Sequence, residues 1–390
     1  MKTQISLPLT FTLSLCALAT AVLTACGSGG GTTTETPTPA PTIKSVAAEN
    51  LAAIGGAPIA SDTGTESFDV LASIGDTWRL TVNKSTGAYT LTPNNSQYGL
   101  TAESGTLTRS ESGDVVTYSL ANKISLTQDT RTGTLTGTMT VGSQTANVSG
   151  TPYQVANASK LAGIYTFMGT AKNRSNGQYA DFMAGQLQVS ADGTTMTICV
   201  GGKVNASGNC DQVDPSGTTP EKGVLTMTKV IGNNGGFYHL TSASNNVQQE
   251  FGNLMVGVGD LGTVLLIDRF GLNQDGVSRV GNFYAIKSQT LNGTEFDGTW
   301  KCGTSNGTAT VVASHTTATI TNPNETPSTW VEALTYNKVN ANDNSKLNFP
   351  GFMTSEVSGS TDSAVLLLPL SASMAVVENQ STKGIGICSK

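Results

Sequence analysis

Four cysteines in the body of the chain, Cys199, Cys210, Cys302 and Cys388, are spaced for cross-linking rather than for metal binding. None of them forms C-x-x-C, and only His239 and His315 are present to complete a zinc site, so a metal centre is not expected. An even set of cysteines in an exported protein reads as disulfides, and four allow three connectivities. We favour Cys199–Cys210, closing a Gly/Asn-rich loop, and Cys302–Cys388, joining the first and last strands of a C-terminal unit.

Carboxylates are the other candidates for chemistry. Glu250, Asp260, Asp268, Asp275, Glu295 and Asp297 lie in the most regular part of the sequence. A glycosidase needs two such groups roughly 5–9.5 Å apart across a cleft. A carboxylate-dependent carbohydrate hydrolase is therefore one alternative, although most of these residues stand in turn contexts. Gly257-Val258-Gly259-Asp260-Leu261-Gly262 matches G-x-G-x-x-G, but a dinucleotide site needs a helix after the glycines. Here Thr263-Val264-Leu265-Leu266-Ile267 follows and reads as a strand. Gly303-Thr304-Ser305-Asn306-Gly307 matches the nucleophile-elbow pattern and is also followed by a strand, Thr308 to Val312. Asp211-Gln212-Val213-Asp214 and Asn273-Gln274-Asp275-Gly276 are oxygen-rich, yet neither has the regular ligand spacing of a calcium loop. Both read as turns. Tyr179, Phe182, Phe237, Tyr238 and His239, with Lys172 and Arg174 close in sequence, are aromatic patches that read mainly as core. No catalytic residue and no cofactor is assigned.

The strongest signal is at the N-terminus. Lys2 is the only charge before Glu35, and Ile5 to Leu23 are apolar or small apart from scattered polar residues and Pro8. A positive start, an apolar centre and small residues at the cut make a signal peptide. Leu23-Thr24-Ala25-Cys26 resembles the bacterial lipobox. The resemblance implies cleavage between Ala25 and Cys26, a diacylglycerol thioether on Cys26, and acylation of the new amine by a chain such as palmitate. Two or more acyl chains are what stable membrane attachment requires. The next residue is Gly27, where an aspartate would mark retention at the inner membrane, so the resemblance implies an outer-membrane location. Which leaflet it faces stays open.

The remainder must be an all-β scaffold. Gly27 to Thr42 form a Gly/Thr/Pro tether, and Ile43 to Ile59 are a short apolar segment in which Val46 to Ile54 form one or two helical turns ended by Gly55-Gly56. From Phe68 on, short runs of Val, Ile, Thr, Tyr and Phe alternate with Gly/Asn/Asp/Ser turns. Trp78, Leu80 and Val82 share one face. Leu135 to Val141 and Gln144 to Val148 form a hairpin around Gly142-Ser143. Asp76-Thr77-Trp78, Gly163-Ile164-Tyr165 and Gly298-Thr299-Trp300 each set an aromatic at the head of a run of strands. The Gly-x-aromatic starts resemble those of small ligand-binding barrels such as lipocalins. The organisation we read is a signal peptide over 1–25, a lipidated tether and apolar segment over 26–60, and tandem antiparallel β-barrel or β-sandwich units over 61–155, 158–290 and 295–390.

Charged residues make up only 12% of the chain and the net charge is −6, becoming −7 when Lys2 leaves with the signal. Without basic clusters, a nucleic-acid partner is not expected. The reading is thus an outer-membrane-anchored, non-catalytic lipoprotein. Its partners would be the membrane, through Cys26, and a protein, glycan or small-molecule ligand. Alternatives are the hydrolase and a structural or assembly component of the envelope. Cys26→Ser is expected to move the protein from the detergent phase to the aqueous phase on detergent partitioning. An aqueous wild type would contradict the lipobox reading.

Overall fold

The structure is a computed structural model that describes residues 40–60, 62–230, 236–244, 247–273, 275–304, 307–340, 345–357, 364–379 and 383–390. Leu23, Ala25, Cys26 and the tether up to residue 39 lie outside the described residues, as do Ser305 and Gln274.

Three antiparallel sheets follow one another along the chain. The first contains nine strands, from Thr65–Ala72 to Gln144–Thr151. Its two edges are consecutive in sequence. Glu103–Thr106 pairs with 88–91, Thr108–Ser112 pairs with 115–119, and buried Leu107 between them donates its N–H to Gly87 O at 2.8 Å. One interrupted strand therefore serves both edges and curls the sheet nearly closed. Trp78, Leu80 and Val82 do point together into this core, beside Phe68, Val70 and Tyr118. The hairpin at Gly142-Ser143 pairs Val141 with Gln144, and Gly142 supplies the positive φ, +56°, of its two-residue turn.

The second and third sheets are closed eight-stranded barrels, running from Gly163–Asn173 to Arg279–Lys287 and from Gly298–Thr304 to Gly384–Ser389. Tyr165 and Trp300 near the starts of these barrels do the same job. Tyr165 Oη donates to Leu161 O and Trp300 Nε1 donates to Phe296 O, each at 2.7 Å, so each aromatic pins the segment that leads into its barrel. Trp78 does not share this role, because the strand Thr65–Ala72 precedes it. Both lumens are filled: by Tyr165, Phe167, Leu187, Leu240 and Phe283 in the middle barrel, and by Trp300, stacked on Phe296, with Val311, Ile320 and Met353 in the C-terminal one.

The barrels close differently. In the middle barrel the first and last strands pair from Tyr165↔Lys287 to Asn173↔Arg279. In the C-terminal barrel the corresponding register is only Lys301↔Ser389 and Cys302↔Cys388, and a Cys302–Cys388 disulfide joins the same two strands. A Cys199–Cys210 disulfide ties the small hairpin of Gly202–Val204 and Cys210–Gln212 to the middle barrel. Cross-links of this kind stabilise mainly by restricting the unfolded chain.

Residues 43–58, grouped with the tether from sequence, belong to the folded unit, which begins at Pro41. A helix spans Ile43–Ala53, longer than the one or two turns expected, because Thr42 and Ser45 form a capping box. Leu51 and Ile54 pack into the core of the middle barrel, and Gly56–Pro58 pairs with Tyr153–Val155.

An apolar layer joins the three sheets. Leu71 of the first sheet, Met168, Met255, Leu266 and Tyr284 of the middle barrel, and Phe352, Leu368 and Val376 of the third pack together. Strands at this layer are buried on both faces. Leu265 and Ile267 fill the lumen while Val264 and Leu266 join the layer.

Candidate functional site

The candidate carboxylates do not converge. Asp260 accepts Ala372 N–H at 2.8 Å, Glu295 accepts the backbone N–H groups of Gly293 and Thr294, and Asp297 lies 3.3 Å from His315 Nδ1. Asp275 sits in a turn where Asn273 Oδ1 accepts the N–H groups of Asp275 and Val277. Asp211 Oδ1 accepts Asn205 Nδ2–H at 2.8 Å, and Asp214 Oδ1 accepts both the N–H and the O–H of Ser216. Gly259 and Gly262 pair across a tight hairpin, so the glycine motif cradles no helix. The 303–307 motif joins two strands, with Ser305 outside the described residues. Among the described residues no three His, Cys, Asp or Glu side chains are grouped as metal ligands.

One polar constellation has the composition of a catalytic site but not the access. Thr170, Asn282, Asp268, Asn253, His239 and Thr228 are cross-strand partners in one row along the outside of the middle barrel. His239 Nδ1 lies 3.1 Å from Asn253 Oδ1, and Asn253 Nδ2 donates to Thr77 Oγ1 at 3.0 Å. Thr77 Oγ1 in turn donates to Asp268 Oδ2 at 2.6 Å. Glycines let the strands approach here: a Cβ on Gly252 would lie 1.8 Å from Asp268 O, and one on Gly281 would lie 2.0 Å from Thr170 O. The first sheet covers the row. Asp268 and Thr77 are fully buried, and only the His239 end meets solvent. Burial raises the Asp268 carboxyl well above its ordinary range, and the nearby Asp76 carboxyl adds to the rise. Its Oδ1 has no hydrogen-bond partner among the described residues. Arg269 beside it is pulled down to about 10, chiefly by burial. No substrate reaches Asp268, Thr77 or Asn253, and the row serves as the polar part of an interface between sheets.

Open space lies elsewhere, in a cleft of about 310 Å3 between the middle and C-terminal barrels. Ala184, Gly185, Gly201 and Val213 form one wall. Val339, Leu347, Phe349, Phe352 and Leu366 form the other. The two phenylalanines lean together, with ring centroids 5.0 Å apart. Lys203 closes the rim on the side of the disulfide-tied hairpin. Its Nζ donates to Asn348 O and lies 5.3 Å from the Phe349 ring centroid. Glu378 is a carboxylate within this mostly apolar lining; it accepts Leu366 N–H at 3.1 Å, and burial raises its pKa. Apolar walls with a few fixed polar groups suit a ligand more than they suit chemistry.

Sequence reasoning missed Glu378. Met374, Val376 and Glu378 share one face of a strand whose other face carries Ala375 and Val377. The available signal was that both faces are apolar, which places the strand between two layers. Of the aromatic patch, Phe237 and Tyr238 are core, while Tyr179 is exposed.

No known protein family matches the chain, and no curated protein does. Among solved structures it is similar to the isotype 1 transferrin binding protein B of serogroup B Neisseria meningitidis, at 10% identity and a TM-score of 0.17, over 81% of this chain and 66% of that one. The chain thus spans about two thirds of the meningococcal protein's length. It is also similar to a variant of the Haemophilus parasuis Hp5 transferrin binding protein B, at 9% identity and a TM-score of 0.16, over 86% and 77% of the two chains. At these TM-scores the likeness bears on neither mechanism nor ligand.

A buried acid whose folded pKa lies above its unfolded value stabilises the fold below the unfolded pKa, and that contribution is lost as pH rises towards the folded pKa. Asp268 therefore lowers stability as pH rises from the ordinary carboxylate range, by about 1.4 kcal/mol for each pH unit separating the two values. Asp69 and Asp76, also raised by burial, contribute in the same direction. Asp268→Asn should flatten the fall in stability that sets in as pH rises through the ordinary carboxylate range, measured by urea denaturation at a series of pH values. An unchanged slope would show that Asp268 does not titrate in that window.

Proposed function

We propose that this chain is a lipid-anchored envelope protein that binds its ligand, without transforming it, in the cleft between the middle and C-terminal barrels. The observation that carries the reading is the cleft itself: about 310 Å3, apolar on both walls, with Glu378 set into it. The occupant that fits is an apolar group bearing a hydrogen-bond donor or a positive charge directed at Glu378. The lipobox-like Leu23 to Cys26 supports anchoring in the outer membrane, and the tether gives the folded unit reach from that surface.

The two lumens are poorer candidates, because side chains fill them. The hydrolase reading has one observation in its favour, since Asp214 and Glu378 both border the cleft. Asp214 is engaged by its own turn through Ser216, and the apolar walls offer little to hydrogen-bond a sugar. The assembly reading would be favoured by a continuous exposed apolar surface. Val312 and Val331 are both half-exposed on the C-terminal barrel, but Thr319 is the cross-strand partner of each and stands between them.

The test uses Nile red, a neutral apolar dye that probes the apolar walls and not Glu378. Wild-type protein should enhance its fluorescence saturably. Ala184→Trp, which fills the cleft from the middle-barrel wall, should weaken binding by about tenfold, the effect of losing ~1.4 kcal/mol, with the far-ultraviolet spectrum unchanged. Equal binding by the folded variant would place the dye, and the ligand site, elsewhere.

A further inference from the structure

The three sheets also meet at a narrow crevice that shares no lining residue with the cleft. Ser73 and Asn147 come from the first sheet, Lys172, Tyr179 and Tyr284 from the middle barrel, and Ile385 from the third. Its free volume is about 20 Å3, room for one water or one oxygen of a larger group.

Lys172 is the unusual member. Its ammonium has no hydrogen-bond acceptor and no carboxylate partner among the described residues, and Nζ lies 5.6 Å from the Tyr179 ring centroid. Burial lowers its pKa, with no neighbouring charge to counter the effect. Two other lysines lowered by burial are satisfied differently: Lys203 donates to Asn348 O, and Lys229 donates to Val155 O at 2.7 Å. The carboxylate on the adjacent strand, Asp181, lies 3.6 Å from Arg279. A cation partly removed from water without a counter-charge is costly, and a bound anion offsets that cost.

The crevice also holds donors without acceptors. Ser73 Oγ accepts Asn147 N–H at 3.2 Å, which leaves the Ser73 hydroxyl hydrogen free to donate. Asn147 is exposed at the rim, and its side-chain amide is free to donate into the crevice. Acceptor-only carboxylates are absent from the lining.

We propose that this crevice is an oxyanion site, in which Lys172 Nζ supplies the charge and the Ser73 hydroxyl and Asn147 Nδ2 supply the donors. The Tyr179 ring holds the lysine stem in place. The small volume admits the oxygen-bearing end of a molecule whose remainder stays outside. The chemical class is a carboxylate or a sulfate end group.

The test is calorimetric titration of the purified protein with sodium sulfate and with sodium acetate, against sodium chloride at matched ionic strength. The general stabilising effect of sulfate is not saturable and is shared by every variant. Saturable binding is expected in the wild type, weakened at least tenfold in Lys172→Met and retained in Lys172→Arg. Should Lys172→Met fail to fold, Asn147→Ala at the exposed rim is the second variant, with binding weakened severalfold. Saturation by acetate assigns the site to carboxylates, and saturation by sulfate alone assigns it to sulfate groups. No saturable binding of either anion, or equal binding by wild type and Lys172→Met, overturns the proposal.

Discussion

Strand Gly262–Arg269 has no solvent face. Leu265 and Ile267 fill the lumen of the middle barrel, while Val264 and Leu266 face the neighbouring sheets. Arg279–Lys287 repeats the arrangement, with Phe283 and Ala285 inside and Tyr284 and Ile286 outside. Burying both faces of a barrel requires partners on its exterior, and the first and third sheets are those partners. The same constraint governs the polar groups on that exterior. Asp268, Asn253 and Asn282 are covered by the first sheet and must find partners there or on each other. Thr77 Oγ1 donates to Asp268 and accepts from Asn253 Nδ2, while Asn282 Nδ2 donates to Tyr284 Oη, which lies 3.0 Å from Ser149 Oγ. Loss of the apolar layer would therefore expose a polar row whose charge state is set by burial.

Surfaces shaped for barrels do not match perfectly, and the mismatch leaves the cleft. On one side the middle barrel presents small residues, Ala184, Gly185 and Gly201. On the other the third sheet presents Phe349, Phe352 and Leu366. Neither barrel makes the cleft alone. Rigid strands hold both walls, a disulfide-tied hairpin borders it, and these are conditions for a preformed binding site rather than for one assembled by folding around its ligand.

Much of the β architecture was legible because its signals are local. The alternation at Trp78, Leu80 and Val82, the turn at Gly142-Ser143 and the strand after Gly262 all depend on neighbours in sequence. The cysteines could be paired on loop and strand logic, and the pairs formed are Cys199–Cys210 and Cys302–Cys388. What stayed hidden depends on distant residues. Helical turns were legible over Val46 to Ile54, but not that Leu51 and Ile54 dock into the core of the middle barrel. Leu107 marks a strand shared between two edges only once the sheet has curled. Asp268 stood at the end of a predicted strand as one candidate carboxylate among six, and Glu378 drew no notice, because burial from outside the element decides the behaviour of both.

The central claim is that the ligand lies between the barrels rather than inside either. Backbone hydrogen exchange, measured with and without saturating Nile red, tests it directly. The account predicts slower exchange on both walls together: at residues 184–185 and 201 of the middle barrel, and at 347–352, 366 and 378 of the third sheet. Protection confined to lumen residues of one barrel, such as 165–167 or 300–302, with the cleft walls unchanged, would contradict it.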